Sequence, residues 1–359
     1  MTIITFFIVI SFLIFVHELG HFLAAKKSGV RVDEFSIGFP PRVWSFRRGE
    51  TLYSLNLIPF GGYVKIFGEN PDNDSLSGPD KERSFINKKR HLQAFILVAG
   101  VLMNILTAWI LLSASYTFGL YKTSAQKNEG LSVIVTGVIK DSPAYNAGLQ
   151  QGDFLVSVYQ EKEVPDSIPF DISHIRESIQ KSQGNDIVVT YKRNDTLGST
   201  TLKARQENGT YIIGVSMADI SQTKLPFYKA VFVGALTTYD LFKQTTVGTL
   251  DFFGNALTFR ANLKDVSGPV GIAGYLNEAR ELGFSTLLTF VAMISINLAV
   301  INLLPFPALD GGRLLVVLIE SLVRKPIKPS IINTINVLGF MFLMGLMLAV
   351  TVSDILKLF

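Results

Sequence analysis

The chain has no cysteine in 359 residues. Disulfides are therefore excluded, as are thiolate metal sites, and a metal here must be held by His, Asp or Glu. Histidine is itself scarce, with four in the chain, so a histidine-based site has few candidates. Only 17% of residues are charged, against 48% hydrophobic. That balance is too apolar for an ordinary soluble protein, and the length is too great for one compact domain. Neither an internal repeat nor a low-complexity tract is present. The formal net charge of +4 is small, and what matters is where the Lys and Arg sit. The partner this composition implies is a lipid bilayer, with no nucleic acid.

What is present is a set of long apolar runs: Thr2 to Ala24, Phe95 to Leu120, roughly Phe284 to Leu304, and Ile331 to Val352. Each is near the ~20 residues a helix needs to cross the hydrocarbon core. No basic residue precedes the first run and no small-residue cleavage site follows it, so it reads as a retained span rather than a signal peptide. Lys26, Lys27, Arg31, Arg42, Arg47 and Arg48 follow it, then Lys81, Arg83, Lys88, Lys89 and Arg90; Arg313, Arg324, Lys325 and Lys328 lie between the third and fourth runs. The positive-inside rule puts both loops in the cytoplasm. The sequence thus predicts a polytopic α-helical membrane protein with about four transmembrane helices, both termini extracytoplasmic. Its predicted parts are a first span (1–26), a cytoplasmic loop (27–92), a second span (93–121), a small extracytoplasmic α/β domain (127–219), an amphipathic surface helix with a connector (225–282), a third span (284–304) whose following loop runs to 313, and a fourth span (331–353). The 225–282 segment carries Asp240, Lys243 and repeated Thr. A fifth span there would bury charge at roughly 2.5–3.5 kcal/mol per residue and put the two basic loops on opposite sides. Gly68 to Ser84 is polar, rich in turn residues, and predicted to be a mobile loop.

Between the second and third spans the pattern changes to short strands, with an amphipathic helix in "FDISHIRESIQKS". The strand order and the "SPAYNAGLQQGD" turn resemble a PDZ domain in the permuted form common in bacteria. That resemblance makes "GTYIIGV", with Gly214, the carboxylate-binding loop of a groove that takes an extended peptide at a sheet edge. The alternative is a small α/β domain that only caps or spaces the membrane part.

The first span contains "HELGH". His17 and His21 are four residues apart, so one helical face carries both imidazoles. This is H-E-x-x-H, in which two histidines bind zinc and the glutamate, here Glu18, is the general base. Ionisable groups inside a span are functional candidates by default. A proton relay and a merely structural polar cluster are the competing explanations. A catalytic zinc takes three protein ligands and keeps an open position. Neither His91, in "NKKRHL", nor His174, in the soluble segment, fits a partner within the membrane. Asp310, in "NLLPFPALDGGR" at the cytoplasmic end of the third span, does. Spans one and three run the same way, which places the three residues at similar depth. The other reading of Asp310 is a cap on the helix that follows.

"HELGH", "NLLPFPALDGG" and the intervening PDZ-like segment together resemble the site-2 proteases, the intramembrane zinc metalloproteases of family M50, in their bacterial RseP or RasP type. The resemblance covers nearly the whole chain. It implies zinc on His17, His21 and Asp310, catalysis through Glu18, and a substrate-backbone contact at Asn302, whose plainer role is a polar contact between spans. It further implies a bacterial cytoplasmic (inner) membrane location and single-span membrane protein substrates, namely anti-sigma factors and signal-peptide remnants. One departure is a single PDZ-like domain where the best-known enterobacterial members have two.

A transmembrane substrate hides its peptide bonds behind helical hydrogen bonds and must unwind before cleavage. The first loop offers a partner for the freed backbone. "FSIGFPPRVWSF" and "TLYSLNLIPFGGYVKIFG" alternate like strands. They read as a membrane-dipping β-hairpin or sheet, with an ordinary cytoplasmic hairpin as the alternative. The family has a re-entrant β-structure here, which assigns Gly61, Gly62 and Tyr63 to substrate binding. "SGPVGIAG" (Ser267 to Gly274) has glycines that suggest close backbone approach, with no derivable task. Two functions remain: an intramembrane zinc endopeptidase, and a non-catalytic PDZ-bearing membrane adaptor, against which the intact Glu18 argues. A transporter would need a relay across the bilayer that one metal-type cluster does not supply.

Overall fold

A computed structural model describes residues 2–69, 77–123, 131–160, 171–193, 196–258, 267–325 and 327–356. Residues 70–76 of the polar loop, 127–130 at the start of the predicted small domain, and 259–266 of the predicted connector lie outside the described residues. The chain divides into two compact units: 1–114, 227–279 and 287–359 form one, and 115–226 with 280–286 form the other.

The first unit is built on long apolar helices. Helices α1 (Thr2–Lys27) and α2 (Arg90–Phe118) coincide with the first two predicted spans. Among the described residues, four helices are long and apolar enough to cross a membrane, Ile4–Lys27, Arg90–Phe118, Phe284–Leu303 and Ser330–Leu356, all free of interior proline. Between the first two, β1 (Val32–Arg48) and β2 (Thr51–Ile66) pair from Val32↔Ile66 to Arg48↔Thr51. The register is not that of a simple hairpin. Leu52–Leu55 pair on one side with Trp44–Arg47 and on the other with Glu34–Ile37, which in turn pair with Gly62–Lys65. The two long strands therefore bend back into a four-ply patch, with segment 62–66 at one edge. Phe35, Val64 and Ile66 bury this patch against Ala24 and Ala25 of α1 and Ile96, Leu97 and Ala99 of α2.

The second unit is an α/β domain. Its six-stranded sheet has the order β3-β10-β4-β5-β6-β7, made of β3 (Leu120–Thr123), β4 (Leu131–Val138), β5 (Phe154–Gln160), β6 (Asp186–Arg193), β7 (Thr196–Lys203) and β10 (Val215–Thr223). A small pair, β8 (Arg205–Glu207) and β9 (Thr210–Ile212), lies beside it. Helices α3 (Pro143–Asn146) and α4 (Ile172–Lys181) begin at Ser142 and Asp171, whose side chains accept from Tyr145 N and His174 N, as N-caps do. Ile175 and Ile179 of α4 pack on Val133, Ile187 and Val189 of the sheet. Asp153, fully buried, takes two hydrogen bonds from Arg193 at 2.6 and 2.7 Å and one from Gln150 N. The first strand of the sheet in chain order, β3, and the last, β10, pair with each other, Leu120 opposite Thr223.

The remaining elements return to the first unit. The predicted surface helix and connector resolve into two helices, α5 (Phe227–Leu257) and α6 (Pro269–Glu281). Helix α5 leans on α2: Trp109 Nε1 donates to Val231 O, and Gly234 lies where any side chain would strike Ser113. Its Leu241 and Phe242 join Ala108 and Leu112 of α2 and Ala292, Ile296 and Val300 of α7 (Phe284–Leu303) in one core cluster. Part of its length is thus packed among the long apolar helices, which periodicity did not anticipate. Two helices complete the unit, α8 (Asp310–Val323) and α9 (Pro329–Leu356). Asp354, buried near the end of α9, accepts from Gly271 N in the first turn of α6. A Cβ on Gly268 would stand 2.8 Å from the same carboxylate and 2.9 Å from Val350, which gives "SGPVGIAG" its partner.

Candidate metal centre

Helix α1 sets His17 and His21 on one face, and both are 7% exposed. Their Nε2 atoms stand 3.1 Å apart. Asp310 Oδ2 lies 3.0 Å from His17 Nε2 and 3.1 Å from His21 Nε2. Ligands held about 2.0–2.1 Å from a tetrahedral zinc are about 3.3 Å from one another. The three atoms therefore form a nearly equilateral triangle of the size that ion needs. Among the described residues this is the one group of three His, Asp or Glu side chains that brings its ligand atoms together, and neither His91 nor His174 belongs to it.

The chain brings Asp310 here through a tight reversal. Helix α7 ends at Leu303, and Ala308 takes the left-handed conformation at φ 71°. The first turn of α8 then folds back on residues 303–307. A Cβ on Gly311 would overlap the carbonyls of Leu303 and Leu304, and one on Gly312 that of Phe306. Only glycine fits both positions, which is the physical content of "DGG". Asp310 is not the helix cap: the cap position is Leu309, without a side-chain bond, and the Asp310 carboxylate turns to the histidines instead.

Helix α2 supplies the surroundings. Ile96 O accepts from His21 Nδ1 at 2.8 Å, which leaves the lone pair on Nε2. The Asn104 amide lies 3.3 Å from His17 Nδ1. Between them Gly100 sits directly under the rings: a Cβ there would overlap His21 Nε2 and stand 2.8 Å from His17 Cε1. Gly20 of α1 is equally constrained against Ala99 O. Positions 96, 100 and 104 form one stripe of the helix. Asn104 is fully buried and its Oδ1 has no partner among the described residues. An unpaired buried polar atom costs about 1–3 kcal/mol.

Glu18 points elsewhere on α1. Its Oε2 accepts from Val64 N at 3.0 Å. Val64 belongs to the edge segment of β2, so an edge amide of the β-patch meets the HExxH glutamate. Gly61 and Gly62 immediately precede it. Gly61, at φ 125°, packs on Ile14, Gly62 lies against Ser36 O, and Tyr63 stacks on Phe39. In the turn that follows β2, Glu69 pairs with Arg313, one turn beyond Asp310. Burial pushes the Glu69 carboxyl above its usual range, against the opposing pull of Arg313. Asn302 sits half-buried in the last turn of α7 and makes no side-chain hydrogen bond among the described residues. Gly214, at φ 80°, belongs to the other unit, where its carbonyl accepts from Ile139 N and Ser142 Oγ.

Of the residues singled out from the sequence, the structure brings His17, His21 and Asp310 together and sets Glu18 against Val64 N; Gly100, Asn104, the Val64 amide and the Glu69–Arg313 pair were not among the sequence's candidates. Asn104 did leave a signal, as a polar residue inside a span.

The model of Peptidase family M50 matches residues 5–346. A Clostridium perfringens protein provisionally titled a zinc metalloprotease is 37% identical over 349 residues, covering 96% of each chain. The regulator of sigma-W protease RasP of Bacillus subtilis is 30% identical over 435 aligned positions, covering 100% of this chain and 99% of the relative. The zinc metalloprotease RasP of Shouchella clausii is 28% identical over 439 positions, at the same coverage.

Proposed function

The chain belongs to peptidase family M50, the site-2 proteases, and is a multi-pass zinc metalloendopeptidase; on that premise we propose that His17, His21 and Asp310 hold the zinc and that Glu18 is the general base. The observation that carries this reading is the triangle of two Nε2 atoms and one carboxylate oxygen at 3.0–3.1 Å. Zinc held by these three residues would make water a nucleophile near neutral pH and polarise the scissile carbonyl. Glu18 takes the proton from the attacking water and returns it to the leaving amine. Unwound substrate backbone needs hydrogen-bond partners, and the 62–66 edge, with Gly61, Gly62 and Tyr63 at its start, is the segment assigned to offer them. Asn302, whose amide is uncommitted, takes a further backbone contact.

The substrates in this reading are single-span membrane proteins, anti-sigma factors and signal-peptide remnants among them; the sigma-W title of the Bacillus relative supports the first of these. The second unit is PDZ-like, a reading supported by its strand order and by the left-handed Gly214 at the base of β10. It faces the outside of a bacterial cytoplasmic membrane, as do both termini, with the β-patch on the cytoplasmic side. Family membership leaves the adaptor alternative without support.

Zinc analysis of the purified single variants His17→Ala, His21→Ala and Asp310→Ala tests the ligand set. Each is expected to lose stoichiometric zinc. Undiminished zinc affinity in Asp310→Ala would remove that residue from the site.

A further inference from the structure

We propose that Asn104 is a positioning residue for the metal centre: its carboxamide oxygen accepts a hydrogen bond from His17 Nδ1–H and so fixes the tautomer that presents the Nε2 lone pair. The proposal rests on the reading of His17, His21 and Asp310 as ligands, and on three observations.

The first is the partner arrangement at His21. There Nδ1 is held by Ile96 O at 2.8 Å and Nε2 faces the triangle. His17 presents Nε2 to the same triangle, so its Nδ1 must also carry the proton and needs an acceptor. The group within reach is the Asn104 amide at 3.3 Å. The two ends of a carboxamide are almost the same shape, and its orientation follows from the ring it faces. With a proton on Nδ1, the oxygen must turn to the ring, since an NH2 there would set donor against donor.

The second observation is what Asn104 does not do. It is fully buried in an apolar helix, and one of its amide atoms has no partner among the described residues. A leucine would fill the volume without that penalty. The polar group is therefore retained for His17 and not for packing.

The third is that the residue is held in place. Ser295 of α7, itself fully buried, donates to Asn104 O at 2.8 Å. That bond pins the turn of α2 that carries the amide, as a supporting group must be pinned to orient a ligand.

The test uses full-length protein in detergent, with zinc affinity measured by competition against a chromophoric chelator, and thermal melting of the zinc-free form as the second readout. Asn104→Leu keeps the volume and removes the acceptor. It is expected to bind zinc about 10- to 100-fold more weakly, while the zinc-free protein melts no lower than the parent. Asn104→Asp keeps an acceptor at the same place and is expected to bind zinc at least as tightly as the parent. A purely structural role predicts the reverse for Asn104→Leu, a lowered melting point with unchanged zinc affinity, and that result would overturn the proposal. So would an Asn104→Asp variant weakened more than tenfold, which decides the matter even if the leucine variant does not fold. His17→Ala run beside them separates the two readings: parental zinc affinity there would defeat the ligand set itself, not the role of Asn104.

Discussion

Replacing Glu18 by glutamine removes one proton acceptor and changes little else, because the amide oxygen can still accept from Val64 N. General-base catalysis contributes about 10²- to 10⁴-fold, so Glu18→Gln is expected to lose that much turnover on a transmembrane peptide in micelles while zinc content stays stoichiometric. Substantial turnover by a preparation free of contaminating protease would remove Glu18 from the base role. At this scale the sequence was informative for a reason. His17, Glu18 and His21 are local, so the helical repeat alone brings the two imidazoles together. Asp310 is 293 residues from His17 and was legible only because acids are so scarce in the apolar runs. The Val64 amide was not legible at all, since a backbone donor leaves no mark in residue identity.

Elements make the site possible by how closely they approach. Gly100 of α2 lies under both imidazoles, and Gly20 of α1 lies against Ala99 O, so each helix gives up a side chain where the other needs room. Overpacking typically costs about 1–3 kcal/mol. Gly100→Ala must therefore displace the rings or separate the helices. It is expected to lower both zinc affinity and the melting temperature, read by metal analysis and thermal unfolding of the purified variant; parental values for both would mean the helices have slack that the geometry does not indicate. Periodicity gave the spans because each is apolar all round, but such a helix has no moment to say which face meets which neighbour. For that reason Gly100 and Asn104 were invisible as a stripe, and α5 was read as a surface helix when Leu241 and Phe242 pack into the bundle. The glycines of "SGPVGIAG" signalled close approach without naming Asp354, whose partner segment lies 83 residues away.

In the whole molecule, the proposed orientation puts the α/β unit and the first basic loop on opposite sides of the membrane. A chain without cysteine is a clean background for labelling. With the proposed orientation, Ser199→Cys in β7 is expected to react with an impermeant maleimide added to intact cells, and Lys81→Cys only after the membrane is opened. Labelling of both from outside would overturn the proposed orientation.

The pairing of β3 with β10 reaches further than the sheet it closes. Because the first and last strands of the sheet in chain order are adjacent, Leu120 and Thr223 are ladder partners, about 5 Å apart. One or two residues can bridge that gap. The stretch from Leu120 to Thr223 is therefore a cassette whose two ends meet, and it can be removed without stretching the chain that remains. Joining Leu120 to Thr223 through two glycines is expected to leave zinc affinity within about twofold, since every group of the metal centre lies in the other unit and distant sites act independently. If the cassette acts as a size filter, the shortened enzyme will also cut substrates with bulky ectodomains that the complete one refuses; an unchanged size limit would rule the filter out, and loss of all cleavage would mark it as a docking module. At the same joint an in-frame insertion or deletion alters the cassette alone and leaves the order of the elements that carry His17, His21 and Asp310 as it is.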